Sequence, residues 1–383
     1  MNLVGVELVR VEVPFRQPIG TAVGLHHTRS LLFVRVVTDA GEGWGECAAL
    51  GERTSVDPSV DDVEEAAASR GVRRLMDSTA ARHGGVPSEH EMAQLFGSSP
   101  IDRMLGAVFE MAVADVELRQ GGRSLAASLG VEAGFEAMPV GAAIGIPVDH
   151  DLGRLLGDID EAVAAGAARV RLKISPGWDV EPVRAIRAEH PELVLQVDAN
   201  GSYVPEDAEH LSRLADWGVV CIEQPLPPGD LVAHAQLAAR LAVPICLDES
   251  LSSPRRVLDA IRNGACQVAC LKPGRLGGLR ATRLAHAACV EAGVSVFVGG
   301  FFEAGLGRAS NLALAACLAQ GAVGMVGDVS APSTYLEVDP CGYPQVRHGW
   351  VRVPDQPGVG SWPDDVELAN LGAQRRWFPA TYT

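Results

Sequence analysis

The chain has 383 residues, of which 47% are apolar and 21% charged, with a net charge of −16. That length suits two domains or one barrel with an attached domain, and the composition is that of an ordinary globular protein. The charge argues against nucleic acid or an anionic membrane surface as a partner. The start, Met1-Asn2-Leu3-Val4-Gly5-Val6-Glu7, lacks the basic residues and apolar core of a signal peptide. No apolar run approaches the roughly 18 residues of a membrane span. Eight scattered cysteines without a CxxC pair read as reduced, mostly buried thiols in a cytoplasmic protein.

Residues 3–13 and 31–38 pattern as strands. The turn Asp39-Ala40-Gly41 then leads into Glu42-Gly43-Trp44-Gly45-Glu46, which predicts an antiparallel meander. Trp44 reads as domain packing. Residues 60–77 and 101–119 read as helices; Ile101, Leu105, Val108, Ala112 and Val116 share one face. The first part is therefore α+β. From Met138 the pattern becomes strand, loop, helix, repeated. Strands are expected near 139–145, 169–173, 193–198, 218–223, 243–248, 267–272, 294–299 and 323–328, with amphipathic helices such as Asp207 to Trp217 and Leu279 to Ala292 between them. After Ser330 the rhythm stops, and the Pro/Gly-rich residues 335–383 are expected to return to the first domain.

Five ionisable residues ride on this rhythm: Lys173, Asp198, Glu223, Asp248 and Lys272, at steps of 25, 25, 25 and 24 residues. A strand of about 5 residues, a helix of about 10–14 and two connections fill about 25 residues, so the step is one βα unit. Seven or eight such units make a barrel. Each charge ends an apolar run, and an unpaired buried charge is costly. Parallel strands would deliver all five to one rim. Any one of these acids alone reads as a helix cap. Asp198, Glu223 and Asp248 on successive strands read as ligands of a hard octahedral cation, best Mg²⁺ and next Mn²⁺. No histidine stands at a strand end, and Cys221 is expected to point away from the carboxylates. Lys173 and Lys272 would face each other across the site, with ammonium pKa values lowered by the cation and by each other. This pattern suggests proton abstraction alpha to a carboxylate, with the metal stabilising an enolate and one lysine as base. The second lysine would reprotonate the opposite face or stabilise charge.

Several strings make the chain resemble the muconate-lactonizing subgroup of the enolase superfamily. They are Gly41-Glu42-Gly43-Trp44-Gly45-Glu46-Cys47, Lys173-Ile174-Ser175-Pro176-Gly177-Trp178-Asp179, Gln196-Val197-Asp198-Ala199-Asn200, Ile222-Glu223-Gln224-Pro225, Leu247-Asp248-Glu249-Ser250, Leu271-Lys272-Pro273-Gly274-Arg275-Leu276-Gly277-Gly278 and Gly299-Gly300 through Glu303 to Gly307-Arg308. Within that subgroup it is most similar to o-succinylbenzoate synthases and N-succinylamino acid racemases. The resemblance implies an α/β fold: a modified TIM barrel, (β/α)7β, over 134–334. An N-terminal α+β capping domain over 1–133 would close loops 15–24 and 51–57 over the substrate, and 335–383 would rejoin it. It implies Mg²⁺ on Asp198, Glu223 and Asp248, acid/base roles for Lys173 and Lys272, and supporting roles for Asn200 and Glu249. The expected partner is a small carboxylate substrate, and the expected assembly a homo-oligomer. Cycloisomerase and dipeptide epimerase activities belong to the same subgroup.

The pocket departs from those relatives. Arg171 stands where they usually carry a second lysine. Ala143 replaces a small polar residue. Gly300, Phe301 and Phe302 lie in a run that usually reads Gly-Gly-Met-x-Glu-Thr-Gly, and the two aromatics are expected to change the pocket volume. Gly300 is a candidate backbone donor to a substrate carboxylate, and Arg16 a candidate for a distal one.

Overall fold

The computed structural model describes residues 2–21, 24–82, 85–320 and 325–380. β1 (Leu3–Thr21) and β2 (Gly24–Thr38) form a long antiparallel hairpin, and β3 (Gly41–Glu46) follows through the turn at 39–40. The hairpin runs further than the alternation over 3–13 suggests. After a register shift beyond Pro14, pairing resumes at Ile19 opposite His26. Much of the expected capping loop at 15–24 is therefore strand; residues 22–23 lie outside the described residues.

The helix Pro100–Gln120 packs across this sheet. Ser99 accepts from the Asp102 N–H and Pro100 opens the first turn, both favourable at a helix start. Leu105, Val108, Ala112 and Val116 are buried along it. Residues 60–76 are also helical, with a π turn at Ala67–Gly71. The glycines of β3 let strand backbone touch helix backbone. A Cβ on Gly45 would stand 2.1 Å from the Val108 carbonyl oxygen, and one on Gly43 2.3 Å from that of Ala112.

The barrel follows. β4 (Ala137–Pro139) precedes seven parallel strands: β5 (Gly141–Ile144), β6 (Arg169–Lys173), β7 (Leu195–Asp198), β8 (Ile222–Glu223), β9 (Ile245–Leu247), β10 (Val268–Leu271) and β11 (Ser295–Val298), hydrogen-bonded in chain order. The region expected as one strand at 139–145 thus splits. β4 joins β12 (Val346–Arg347) and β13 (Trp350–Arg352) in a small antiparallel sheet, while β5 starts the barrel. Of the expected strand at 323–328, residues 323–324 lie outside the described residues and 325–328 are not strand. Backbone still crosses the seam between β11 and β5. The Asp328 N–H donates to Val298, and the Gly327 carbonyl oxygen lies 3.2 Å from where a Cβ on Gly141 would stand.

Alternation along the strands sorts the side chains. Val170, Leu172, Leu195, Val197, Ile222, Ile245 and Leu271 pack in the large core shared with the helices. The intervening residues face the barrel interior. At the far end of the chain, β14 (Gln374–Pro379) pairs antiparallel with β1 and completes the N-terminal sheet in the order β14-β1-β2-β3. Glu46, at the end of β3, fastens that sheet to the barrel: its carboxylate accepts from the Ala304 N–H at 2.7 Å and the Gly307 N–H at 2.8 Å.

The contact of β3 with its helix yields a test. Gly45→Ala forces a methyl onto a backbone oxygen and is expected to cost about 3 kcal/mol, the upper end for overpacking, read as a lowered thermal midpoint by circular dichroism. An unchanged midpoint would show that this close approach is dispensable.

Candidate active site

Register brings the charges together. Lys173 pairs with Asp198, and Asp198 with Glu223, on successive strands. All three acids are buried, at 1%, 0% and 3% exposure for Asp198, Glu223 and Asp248. The lysines stand at the two ends of the row. Lys173 Nζ lies 2.6 Å from Asp198 Oδ2, and Lys272 Nζ 2.8 Å from Asp248 Oδ2. They differ in access, with side chains 29% and 10% exposed. Asn200, at φ +43, sits beside Lys173 and links the row to a neighbour: its Oδ1 accepts from the ammonium and its Nδ2 donates to Glu249 Oε1 at 2.9 Å. The other Glu249 oxygen is buried without a hydrogen-bond partner.

A second layer lies one alternation step deeper. Arg171 is inward, as its parity with Lys173 requires, but its guanidinium is occupied. It binds Glu223 at 3.1 Å and Asp328 at 2.8 Å. Arg169 binds the same Asp328 at 2.8 Å and also donates to Gln196, which in turn donates to Glu223. Cys221 does not point away. It shares parity with Glu223, so it faces the interior and packs with Cys246, Cys270, Val268 and Phe297. Cys270 rises highest: its sulfur and the carboxylates of Glu223 and Asp248 lie within 4.8 Å of one another. All eight cysteines are free thiols.

The remaining pocket candidates spread out. Ala143 pairs in register with Arg171 and is exposed, so it walls the open part of the barrel mouth. Gly300 packs against Glu303 and Arg308. Phe301 is 5% exposed and belongs to the core of the N-terminal domain, with Ala48 and Met104. Phe302 turns the other way, edge-on to Phe15 and Tyr335. Arg16 is exposed and donates to the Ser333 carbonyl at 3.4 Å.

The sequence agrees with this geometry. Residues 154–367 match the family described as Enolase C-terminal domain-like. The chain is 39% identical to an N-succinylamino acid racemase from Amycolatopsis sp over 98% of its length and 99% of that protein's. It is 35% identical to an o-succinylbenzoate synthase from Geobacillus kaustophilus, covering 94% and 93%. A solved enolase superfamily structure from Listeria innocua superposes over 100% of both chains, with a TM-score of 0.88 at 28% identity. The chain belongs to the enolase superfamily. It has that superfamily's fold, a modified TIM barrel with an N-terminal α+β capping domain.

The electrostatics of this enolase superfamily site fit a divalent cation. Burial, then repulsion from Asp198 and Asp248, pushes the Glu223 carboxyl up to about 8 despite Arg171; a divalent cation would relieve that repulsion. Glu223 and Asp248 offer hard carboxylate oxygens, as Mg²⁺ requires, but the third member of the group within 4.8 Å is Cys270, while Asp198 is held by Lys173. Asp248 is held low although burial alone would raise it, because Lys272 and Arg275 lie against it. Among the protein's own groups, burial lowers the Lys272 ammonium, but Asp248 outweighs burial and raises it above its ordinary value.

Arg275, Asp57, Gln224 and Asp328 carry roles that spacing did not reveal. Arg275 binds Asp248 at 2.6 Å and Asp57 of the 51–57 loop at 2.6 Å. It thereby ties the capping domain to the end of the acidic row. Gln224, at φ +38, accepts from the Asp248 and Ser250 N–H groups. Gln224 and Arg275 stand in the strings that carry the resemblance, next to Glu223 and three residues after Lys272, whereas Asp57 and Asp328 carry no such signal. Asp57→Ala leaves Arg275 buried with one partner lost. The expected cost is about 3 kcal/mol, the low end for breaking a buried pair, measured by urea unfolding. A change under about 1 kcal/mol, the size of a surface pair, would show that the tie is solvated.

Proposed function

We propose that this chain is a divalent-cation-dependent enzyme that removes the proton alpha to a substrate carboxylate. Its substrates are N-succinylamino acids, which it racemises, or the hydroxy-acid precursor of o-succinylbenzoate, which it dehydrates with syn geometry. The observation that carries this reading is the placement of Lys173 and Lys272 at opposite ends of the row Asp198, Glu223, Asp248, each ammonium on the outer carboxylate. The relatives named N-succinylamino acid racemase and o-succinylbenzoate synthase support the substrate classes. Both reactions begin with the same proton transfer.

Asp198, Glu223 and Asp248 would hold Mg²⁺, with Mn²⁺ as the alternative. When bound, the cation supplies the positive charge that binds the substrate carboxylate and offsets the charge left by the departing proton. Lys173 Nζ and Lys272 Nζ address opposite faces of the alpha carbon. In racemisation the proton leaves to one nitrogen and a proton returns from the other. In syn dehydration one lysine both takes the alpha proton and returns a proton to the leaving hydroxyl, while the other stays charged beside the intermediate. Asn200 holds the Lys173 ammonium in line, and Arg171 orients Glu223 and favours its charged form against burial. Cycloisomerase or dipeptide epimerase activity is the alternative that a pocket volume changed by Phe301 and Phe302 motivates; the two rings pack into two cores, which lends it no support. Assembly into a homo-oligomer is part of the same proposal, supported by the outer edge of β14, where Trp377 is 47% exposed. No helix among the described residues is long and apolar enough to cross a membrane.

The test is solvent exchange. With Mg²⁺ in D₂O, each enantiomer of an N-succinylamino acid should lose its alpha-proton NMR signal, and EDTA should stop it. Lys173→Ala and Lys272→Ala should each slow racemisation by roughly 10²–10⁴-fold, the usual worth of a positioned acid or base. Undiminished racemisation in both variants would sink the proposal.

A further inference from the structure

Resting on the two-base reading above, we propose that Phe301 is a positioning residue for Lys272, so that the capping-domain core controls one of the two bases and not the other. The Lys272 ammonium lies 4.6 Å from the centroid of the Phe301 ring, and the Arg275 guanidinium lies 5.1 Å from the same ring. An aromatic face attracts a cation, most strongly where water is excluded, and Phe301 is 5% exposed. The methylene chain of the lysine is also walled. A Cβ on Gly299 would stand 3.0 Å from Lys272 Cε and 3.2 Å from its Cγ, so the methylene chain lies directly on the Gly299 backbone. Lys272 thus lies against both Gly299 and Phe301, with Asp248 at its tip.

The loop itself explains how a phenylalanine reaches that position. Phe302 has φ +57, a left-handed conformation that is costly for a bulky residue. That kink sends successive rings to opposite sides: Phe301 into the core with Ala48, Met104 and Leu105, and Phe302 onto Phe15 and Tyr335. Arg29, 1% exposed, holds the kink by donating to the Phe302 carbonyl at 3.2 Å while bound to the Ala49 carbonyl at 2.7 Å. Lys173 has no such grip. Its neighbours are the polar Asp198 and Asn200, and its side chain is 29% exposed.

The experiment compares the two faces. Alpha-proton exchange in D₂O with Mg²⁺ is followed by NMR separately from each enantiomer of an N-succinylamino acid. The Lys272 face is defined as the one whose exchange Lys272→Ala abolishes. Phe301→Leu and Phe301→Met, which keep an apolar side chain but lose the aromatic face, should slow exchange on that face roughly tenfold, the size of a desolvated cation–π contact. Exchange on the Lys173 face should be unaffected, and Phe301→Tyr, which keeps the aromatic face, should exchange at the unaltered rate on both faces. Equal slowing on both faces, or slowing on neither, overturns the proposal. A second readout is independent of substrate. In protein labelled with ¹³C-lysine, the Lys272 ε-methylene resonance, assigned by its loss in Lys272→Ala, should be shifted upfield by the ring. It should move back in the Leu and Met variants and stay put in the Tyr variant; an unmoved resonance overturns the inference. If the unaltered protein exchanges neither enantiomer, the racemase half of the proposed function fails, and this resonance alone decides whether Phe301 positions Lys272.

Discussion

A carboxylate withdrawn from water loses hydration that only a cation or well-placed donors can replace. Asp198, Glu223, Asp248 and Asp328 are all withdrawn at the barrel mouth. Each is answered by a cation from an element other than its own: Lys173, Arg171 and Arg169 of β6, and Lys272 with Arg275. These pairs cross between elements, so satisfying them also sets how the elements sit. Arg171 reaches from β6 past β7 to Glu223 on β8 and across the barrel seam to Asp328. Arg275 carries the same balance outward to Asp57, so charge compensation inside the barrel and attachment of the 51–57 loop are one network.

The row is symmetric in sequence and asymmetric in space. Lys173 stands among polar groups at the open side, where Ala143 leaves the mouth uncovered. Lys272 is enclosed by Gly299, Phe301 and Arg275. A base among polar, partly hydrated neighbours and a base pressed against an aromatic face lose different amounts of freedom on meeting a substrate. The strained backbone at Phe302 belongs to this asymmetry, since it sends the buried Phe301 ring and the half-buried Phe302 ring to opposite sides of the loop. Rigid packing around one base suits a scaffold that must hold reacting groups to within fractions of an ångström.

Beneath the rim the barrel interior changes character. Three cysteines, a valine and a phenylalanine fill its floor, while Arg169, Arg171 and Gln196 fill the side nearer β6 and β7. The polar half orients Glu223 through charge-assisted hydrogen bonds, which are stronger than neutral ones. The apolar half keeps Asp248 and Lys272 on a dry base, which strengthens their mutual attraction.

The 25-residue rhythm, the inward parity of Arg171 and the run of three strand-end acids were all readable from the chain. They depend on periods, 2 for a strand and one βα unit for the barrel, that local backbone geometry imposes on any such fold. The same parity rule places Cys221 beneath Glu223, so its expected outward direction was a misreading of a legible signal. Other features had no sequence signature. Asp57 meets Arg275 across 218 positions, Asp328 gathers two arginines across a seam that is not a regular strand, and Phe301 belongs to the core of a different domain from its neighbours. Such contacts follow from which surfaces the capping domain and barrel bury against each other, a choice made by the whole packed molecule. The sequence thus determined which chemistry meets at the rim, because order along the chain becomes order around a barrel. Only the tertiary structure decided how tightly each base is held, because that depends on residues brought from far along the chain to lie against it.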